Sequence, residues 1–111
     1  WRRAWGGPPP GNYDQGLSRS MAHLGALDGD RLVGFVNVAW DGGLHAFILD
    51  TAVDVAYRRQ GIARELVRQA AELARDSHVQ WLHVDFEPHL EGFYRACGFG
   101  PTAAGLMRLS A

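Results

Sequence analysis

The clearest chemical signal in the sequence is a short polar segment between a predicted strand and a predicted helix. The segment follows Val53, contains Arg58 and Arg59, and ends at Gly61, where the helix begins. A helix N-terminus presents amide N–H groups without intrahelical partners and the positive end of the helix dipole. Gly61 leaves the backbone open to a ligand, and the two arginines add positive charge. These features predict a diphosphate site, with an ordinary strand-to-helix connection as the alternative.

Two other phosphate-binding motifs do not fit this segment. All 11 basic residues are arginines, so the lysine of a P-loop is missing. The dinucleotide-binding fingerprint needs three spaced glycines, whereas this turn has one. Phosphate binding would therefore depend on backbone amides and arginine side chains.

Composition sets further limits on the function. The chain has 111 residues, the size of one domain, and its net charge of −1 provides no general attraction to nucleic acid or anionic membranes. A single cysteine excludes a disulfide framework and a cysteine-rich zinc site, and the 5 histidines show no metal-ligand spacing. No apolar run reaches the roughly 18–20 residues of a membrane span. We expect a cytoplasmic protein without a bound metal, and we expect that residues preceded Trp1, because translation does not begin at tryptophan.

Hydrophobic periodicity predicts the elements that position these residues. Alternating apolar residues predict strands over 21–27, 31–40, 44–53, 79–86 and 106–109. Helical spacing predicts helices over 15–20, 61–76 and 88–96. Two glycine-containing turns would make the first three strands an antiparallel meander, and the strand–helix–strand order that follows implies a parallel crossover. Residues 1–16, rich in glycine and proline, form a separate segment in this interpretation, and Trp40 and Trp81 are predicted core residues.

Two motifs resemble landmarks of the GNAT superfamily of N-acetyltransferases. The stretch 58–63, RRQGIA, is similar to the R/Q-x-x-G-x-G/A signature, and the stretch 93–99, FYRACGF, is similar to the F-Y-x-x-x-G-F landmark. Their separation and the order of the surrounding elements also match, over residues 17–111. Two mild departures are Val55, where relatives often have proline, and Ala63, where they often have glycine. The family's first strand and most of the helical segment after it, which lines the acceptor site, have no counterpart.

The resemblance implies an α+β fold with a mixed, mostly antiparallel sheet and helices on both faces, and in this chain we expect the N-terminal strand of that fold to be missing or truncated. It also implies that acetyl-CoA lies in a V-shaped gap between the strand ending at Val53 and the next strand. Pantetheine would pair with the edge of the first strand, the diphosphate would bind the amides that follow, and the Val53 N–H would polarise the acetyl carbonyl. The implied cofactor-binding residues are Ala52, Val53, Val55, Arg58, Arg59, Gln60, Gly61, Ile62 and Ala63.

Catalysis in such enzymes is a direct attack of the amine on the thioester, which requires one proton to leave the amine and one to reach the thiolate. Tyr94 lies where relatives have the tyrosine that protonates the thiolate, and an ordinary tyrosine pKa of about 10 keeps the phenol protonated at neutral pH. For the base, the first choice is Asp50 and the second is Glu87. Asp85 and His83 lie nearby in the sequence, and a water chain is the alternative.

The resemblance therefore implies an N-acetyltransferase that acts on a primary amine of a small molecule or peptide. The acidic residues predicted around the gap favour a cationic acceptor. Two other hypotheses stay open. The chain could be a non-catalytic domain that binds acyl-CoA as a sensor or scaffold, or it could form half of a site that a second chain completes. A homodimer is one form of the latter.

Overall fold

The computed structural model describes residues 20–110, and its first three strands form the predicted antiparallel meander. Strand β1 covers Ala22–Asp28, β2 covers Arg31–Trp40 and β3 covers His45–Val53. Gly29 has a φ of 60° in the first turn, a conformation that glycine adopts without steric cost. In the second turn, the Asp41 carboxylate accepts hydrogen bonds from the N–H groups of Gly43 at 2.8 Å and His45 at 3.2 Å. The meander prediction is therefore confirmed.

The second half of the fold is the predicted crossover. Helix α1 covers Ile62–Asp76, and β4, Trp81–Val84, pairs in parallel with β3, so the sheet order is β1-β2-β3-β4. Helix α2 covers Glu91–Ala96 and is preceded by a 3-10 turn over Pro88–Leu90, so the helix predicted over 88–96 is divided in two. A second 3-10 turn, Val55–Tyr57, follows β3.

Helix α1 is amphipathic, and its apolar side builds the core. Its buried residues alternate with charged ones at helical spacing; they are Leu66, Val67, Ala70 and Ala74. They pack against Val36, Val38, Ala46 and Ile48 of the sheet, and Tyr94 of α2 joins the same cluster. A Cβ on Gly34 would lie 2.9 Å from Ile62 Cγ2, so the missing side chain lets the first turn of α1 approach β2 closely. On the outward side, Arg68 bridges Glu65 and Glu72.

The opposite face of the sheet is open within residues 20–110. Alternation along β3 and β4 directs Phe47, Leu49 and Trp81 away from α1, and they are 41%, 43% and 57% exposed. The prediction that Trp40 and Trp81 are core residues is wrong, because Trp81 lies on this open face and Trp40, 38% exposed, lies at the end of β2. The predicted α+β fold with a mixed, mostly antiparallel sheet is confirmed, and both described α-helices contribute to one core cluster.

The strand predicted over 106–109 does not form. Residues 99–110 have no regular secondary structure, and the apolar side chains in this stretch are almost fully exposed: Leu106 at 93%, Met107 at 79% and Leu109 at 90%. An apolar run becomes a strand only when a neighbouring strand satisfies its backbone groups, and no described strand pairs with this one. The strand predicted over 79–86 is also shorter, because its pairing with β3 ends at Val84.

Some predictions fall outside residues 20–110. They are the segment 1–16 and all but the last residue of the helix over 15–20. Within the described part, no helix is both long and apolar enough to cross a membrane.

Candidate active site

A cleft opens where two parallel strands diverge. Strands β3 and β4 pair from His45 and Trp81 up to Ile48 and Val84, and beyond that point β3 continues to Val53 whereas β4 ends. The cleft has a volume of about 430 Å³. Its walls come from the second half of β3, from residues 84–87 at the end of β4 and just beyond it, and from the turn before α2. Helix α2 and Ala63 of α1 complete the lining. A cleft between separated strand edges offers backbone amides as well as side chains to a ligand.

A β-bulge shapes the β3 wall of the cleft. Phe35 and Asn37 of β2 pair with Ala52 and Leu49 of β3, so two steps along β2 oppose three steps along β3. Asp50, in the bulge, has a φ of 57°, a left-handed conformation that aspartate tolerates better than most residues. Asp50 lines the cleft. The sequence pattern did not predict this bulge, since its residues read as continuous strand.

Tyr94 forms part of the cleft wall while being only 6% exposed. Its ring stacks on Phe86 at a centroid distance of 4.9 Å and meets Phe93 and Phe99 edge-on. Burial raises the pKa of the Tyr94 phenol, and the nearby Thr51 hydroxyl opposes this shift. Thr51 Oγ1 is itself buried and makes no hydrogen bond of good geometry with the described residues. The phenol is therefore protonated at neutral pH and can donate a proton into the cleft.

The turn before α1 leads into backbone amides that have no hydrogen-bond partner within the helix. Arg59 has a φ of 65° and Gly61 a φ of 80°, and no described side chain caps the helix at Gly61. The first intrahelical hydrogen bond runs from Glu65 N–H to the Gly61 carbonyl at 3.0 Å, so the preceding amides have no partner within the helix. A Cβ on Gly61 would meet no atom within 4 Å, so the space before the helix is open. This arrangement fits a diphosphate group.

The structure brings some of the predicted site residues together around the cleft. The ones that line it are Asp50, Ala52, Val53, Ala63, Glu87 and Tyr94. The others lie outside its lining: Val55, Arg58, Arg59, Gln60, Gly61 and Ile62. Of these, Gln60, Gly61 and Ile62 border a second depression, of about 270 Å³, between β1 and α1.

The two remaining candidates for the base separate from each other. Asp85 lines the cleft. His83 lies on the open face of the sheet, where its Nε2 is 3.0 Å from His45 Nδ1 and its ring stacks on Phe47. His83 is therefore not part of the cleft lining. No group of three or more potential metal ligands occurs within residues 20–110.

The lining of the cleft includes three acidic residues. They are Asp50, Asp85 and Glu87, and the imidazole of His89 lines the cleft with them. Glu87 and His89 are 3.5 Å apart and largely exposed. Negative charge in the lining attracts cationic ligands.

Sequence reasoning missed two residues that shape the site. Thr51 places a buried hydroxyl at the cleft wall beside Tyr94. Asp54 is 7% exposed, caps the 3-10 turn and accepts a hydrogen bond from Ala56 N–H at 2.9 Å. An aspartate directly after a predicted strand and before a turn is a capping signal that could have identified Asp54.

Comparison with known proteins points to one family. The sequence model of the Acetyltransferase (GNAT) family matches residues 2–99. Glucosamine 6-phosphate N-acetyltransferase 1 of Oryza sativa is 28% identical over an alignment covering 83% of this chain and 67% of that protein. Probable glucosamine 6-phosphate N-acetyltransferase 2 of the same plant is 33% identical over 58 residues, 52% of this chain. That match spans only 35% of the rice protein.

Solved structures show the same fold. A GNAT family acetyltransferase from Streptococcus pneumoniae superposes with a TM-score of 0.82 at 29% identity, covering 94% of this chain and 82% of that one. A probable acetyltransferase from Staphylococcus aureus has a TM-score of 0.84 at 23% identity, covering 99% of this chain and 87% of that one. At this lower identity the likeness concerns the fold alone. The family match over residues 2–99, together with the cleft and the arrangement of strands and helices, shows that this chain belongs to the GNAT family of acetyltransferases.

Proposed function

We propose that this chain transfers an acetyl group from acetyl-CoA to a primary amine of a small molecule or peptide by direct attack. The observation that carries the proposal is the cleft between the diverging strands β3 and β4, with a buried phenol in its wall and the first turn of α1 at its side. Membership of the GNAT family supports acetyl-CoA as the donor.

The donor would bind along β3 and the turn that follows. Pantetheine amides would pair with the edge of β3 at Val53, as an added strand does, with Ala52 of β3 before it and Val55 of the following 3-10 turn after it. The diphosphate would accept hydrogen bonds from the amides of residues 59–63, with Arg58 and Arg59 adding positive charge. The uncapped start of α1 and the open space at Gly61 support this arrangement.

The backbone of β3 supports an electrophilic role for the Val53 N–H. The neighbouring Asp54 N–H donates to the Val33 carbonyl of β2 at 2.7 Å. Because successive residues of a strand direct their N–H groups to opposite edges, the Val53 N–H is directed away from β2, toward the side of the cleft. There it would hydrogen-bond to the acetyl carbonyl oxygen and stabilise the oxyanion that forms during attack.

The reaction then needs proton transfers at the nitrogen and at the sulfur. The ammonium group loses a proton to the base, and the neutral amine attacks the carbonyl carbon. The C–S bond breaks, the thiolate takes the proton of Tyr94, and the second proton that leaves the nitrogen on forming the amide returns to the Tyr94 phenolate through water. Asp50 is the first candidate for the base and Glu87 the second, because both carboxylates line the cleft, and water can carry the proton to either. No metal takes part in this scheme.

The acceptor side of the cleft favours a cationic amine. The carboxylates of Asp50, Asp85 and Glu87 attract an ammonium group and repel a phosphate. Because the two rice relatives are named for glucosamine 6-phosphate, that phosphorylated amine belongs in any acceptor panel beside diamines, monoamines and peptides.

Amine-dependent release of CoA thiol from acetyl-CoA tests the proposal. We expect turnover with at least one amine of the panel. Tyr94→Phe should lower kcat by about 100-fold, the usual contribution of a general acid, while the affinity for CoA changes less than twofold. Glu72→Gln, on the outward side of α1, is the control and should match wild type.

One outcome favours the alternative function. If CoA binds but no amine in the panel causes thiol release, the chain is a non-catalytic acyl-CoA-binding domain. If the size of the protein in solution doubles on adding CoA and turnover then appears, the site is shared between two chains.

A further inference from the structure

The turn between β3 and α1 is attached to the tip of the β1–β2 hairpin, more than 20 residues earlier in the chain. Arg31 Nη2 lies 3.3 Å from Asp54 Oδ2, and the Tyr57 hydroxyl donates a hydrogen bond to the Asp28 carboxylate. Asp28 and Arg31 face each other across the hairpin turn, at the last pair of the β1–β2 ladder. Each side of the hairpin tip therefore contacts one end of the segment 54–57, and we name these four residues the hairpin brace.

Asp54 is the centre of the hairpin brace. Its carboxylate accepts the Ala56 N–H at 2.9 Å as well as the contact from Arg31. Its own N–H donates to the Val33 carbonyl at 2.7 Å, and its carbonyl accepts the Tyr57 N–H at 2.9 Å. With only 7% exposure, this carboxylate depends on those partners, since a buried charge without hydrogen bonds is strongly unfavourable. The N–H group, the carbonyl group and the carboxylate of Asp54 are therefore all hydrogen-bonded.

The position of the brace gives it a consequence for the site. Asp54 directly follows the cleft residue Val53, and Tyr57 directly precedes Arg58. Along the chain, the two brace residues Asp54 and Tyr57 therefore lie between the cleft and the uncapped start of α1. The left-handed conformation at Arg59 persists only where the surrounding structure holds it, because residues other than glycine populate this conformation sparsely in a free chain. Fixing residues 54–57 restricts where that turn can begin and hence where its amides point.

We propose that Asp54, supported by Arg31, Asp28 and Tyr57, is a positioning residue that orients the turn 58–61 toward the diphosphate of acetyl-CoA. The inference rests on the proposed function for the identity of the ligand. Asp54 acts through the turn and contacts none of the reacting atoms.

Two acetyl donors separate this role from a general structural one. S-acetylpantetheine carries the thioester and the pantetheine arm of acetyl-CoA but has no diphosphate. In Asp54→Ala we expect the KM for acetyl-CoA to rise about five- to tenfold, the equivalent of one lost capping interaction. We expect kcat with acetyl-CoA, and kcat/KM with S-acetylpantetheine, to stay within twofold of wild type.

Conservative variants grade the effect. Asp54→Asn keeps an oxygen for the Ala56 N–H and loses the charge, so we expect a KM increase of about two- to threefold. Arg31→Gln and Tyr57→Phe change the exposed end of each brace contact and should give increases of similar size. They also test the proposal if Asp54→Ala fails to fold. Glu72→Gln is the control for an ion pair on the surface of α1 and should leave both donors unaffected.

Calorimetric binding of CoA and of pantetheine makes the test independent of turnover. If wild type binds CoA without acetylating any amine, the proposed function fails as catalysis, and the brace is judged by the ratio of the two affinities. A loss of CoA affinity in Asp54→Ala with unchanged pantetheine affinity supports the brace. Equal losses for both ligands, or no loss for CoA in any brace variant, overturn it, as does a failure of wild type to bind CoA.

Discussion

The two sides of the cleft are built in different ways. The proposed donor side, which comprises the second half of β3, the turn 54–61 and the start of α1, is held by backbone hydrogen bonds and by a buried carboxylate. The proposed acceptor side, residues 85–90, ends in exposed groups: the Glu87 and His89 side chains are 78% and 70% exposed, and Glu87 Oε2 lies 3.5 Å from His89 Nδ1. An exposed pair of this kind contributes little to stability.

This difference indicates a division of tasks. The proposed donor side offers mainly backbone amides, which do not depend on side-chain identity. The acceptor side offers side chains at the surface, where substitutions leave the core unchanged. Specificity for the amine is therefore expected to depend on residues 85–90 and Asp50, and donor binding on the shape of the turn.

Gly61→Glu should give the largest effect and tests the donor side. The new carboxylate would lie at the uncapped amides and repel the diphosphate, so we expect the Kd for CoA to rise at least about 100-fold, or nearly 3 kcal/mol. Gly42→Glu is a matched control, because Gly42 has the same φ of 80° and equally open surroundings but lies in the β2–β3 turn. Equal CoA affinity in wild type and Gly61→Glu would show that the diphosphate binds elsewhere.

Asp85→Asn should have a smaller effect, confined to the acceptor. Removing one exposed charge weakens an ion pair by up to about 1 kcal/mol, so we expect the preference for a diamine over a monoamine of equal length to fall about three- to fivefold. The KM for acetyl-CoA should not change. Added salt should reduce the wild-type preference in the same direction. A preference that survives both Asp85→Asn and high salt would contradict an electrostatic origin.

The smallest effect concerns Tyr94, where the two sides meet. Burial raises the Tyr94 pKa above its ordinary value of 10 in the folded state. Below pH 10 the phenol is protonated in both states, so its contribution to stability is complete there; as the pH rises through the folded-state pKa, the unfolded state releases its proton first and the contribution is lost. Wild type should therefore lose more of its free energy of unfolding above pH 10 than Tyr94→Phe does.

Chemical denaturation between pH 8 and 11 measures this difference. The hydrogen bond to Asp28 raises the pKa of Tyr57, so Tyr57 also lowers the free energy of unfolding at high pH. This contribution is the same in wild type and in Tyr94→Phe, so the difference between their pH profiles is due to Tyr94. Identical pH profiles would mean that the Tyr94 phenol is open to water in the folded state.

Local sequence patterns predicted the parts of the fold that depend on neighbours along the chain. The helix over 61–76 was predicted because its apolar spacing is visible without any partner, and α1 covers Ile62–Asp76. The hairpin turns were predicted from their glycines for the same reason. The prediction of a strand over 106–109 was wrong. An apolar run shows that a segment can form a strand, but it does not show whether a partner strand is available for its backbone groups.

The candidate site shows the same division between features that the sequence predicted and features that depend on the tertiary structure. The anion-binding turn at Gly61 was predicted from residue types and spacing, and the place of Tyr94 in the site was predicted from the resemblance of residues 93–99 to a family motif. The bulge at Asp50, the buried Thr51 hydroxyl and the separation of His83 from the cleft depend on register between strands, which residue types do not specify.

By itself, the sequence determined the order of the elements, the glycine turn with its arginines, and the family to which the chain belongs. The elements and the turn could be predicted because the conformation of each residue there follows mainly from its own type and its neighbours in the chain. The family could be identified because its motifs are short stretches of sequence. Only the tertiary structure decided that β3 and β4 part after Ile48 and Val84, and that Arg31 and Asp28 reach the turn before α1. Those contacts join residues far apart in the chain, and they form because the sheet must pack on α1 as a whole.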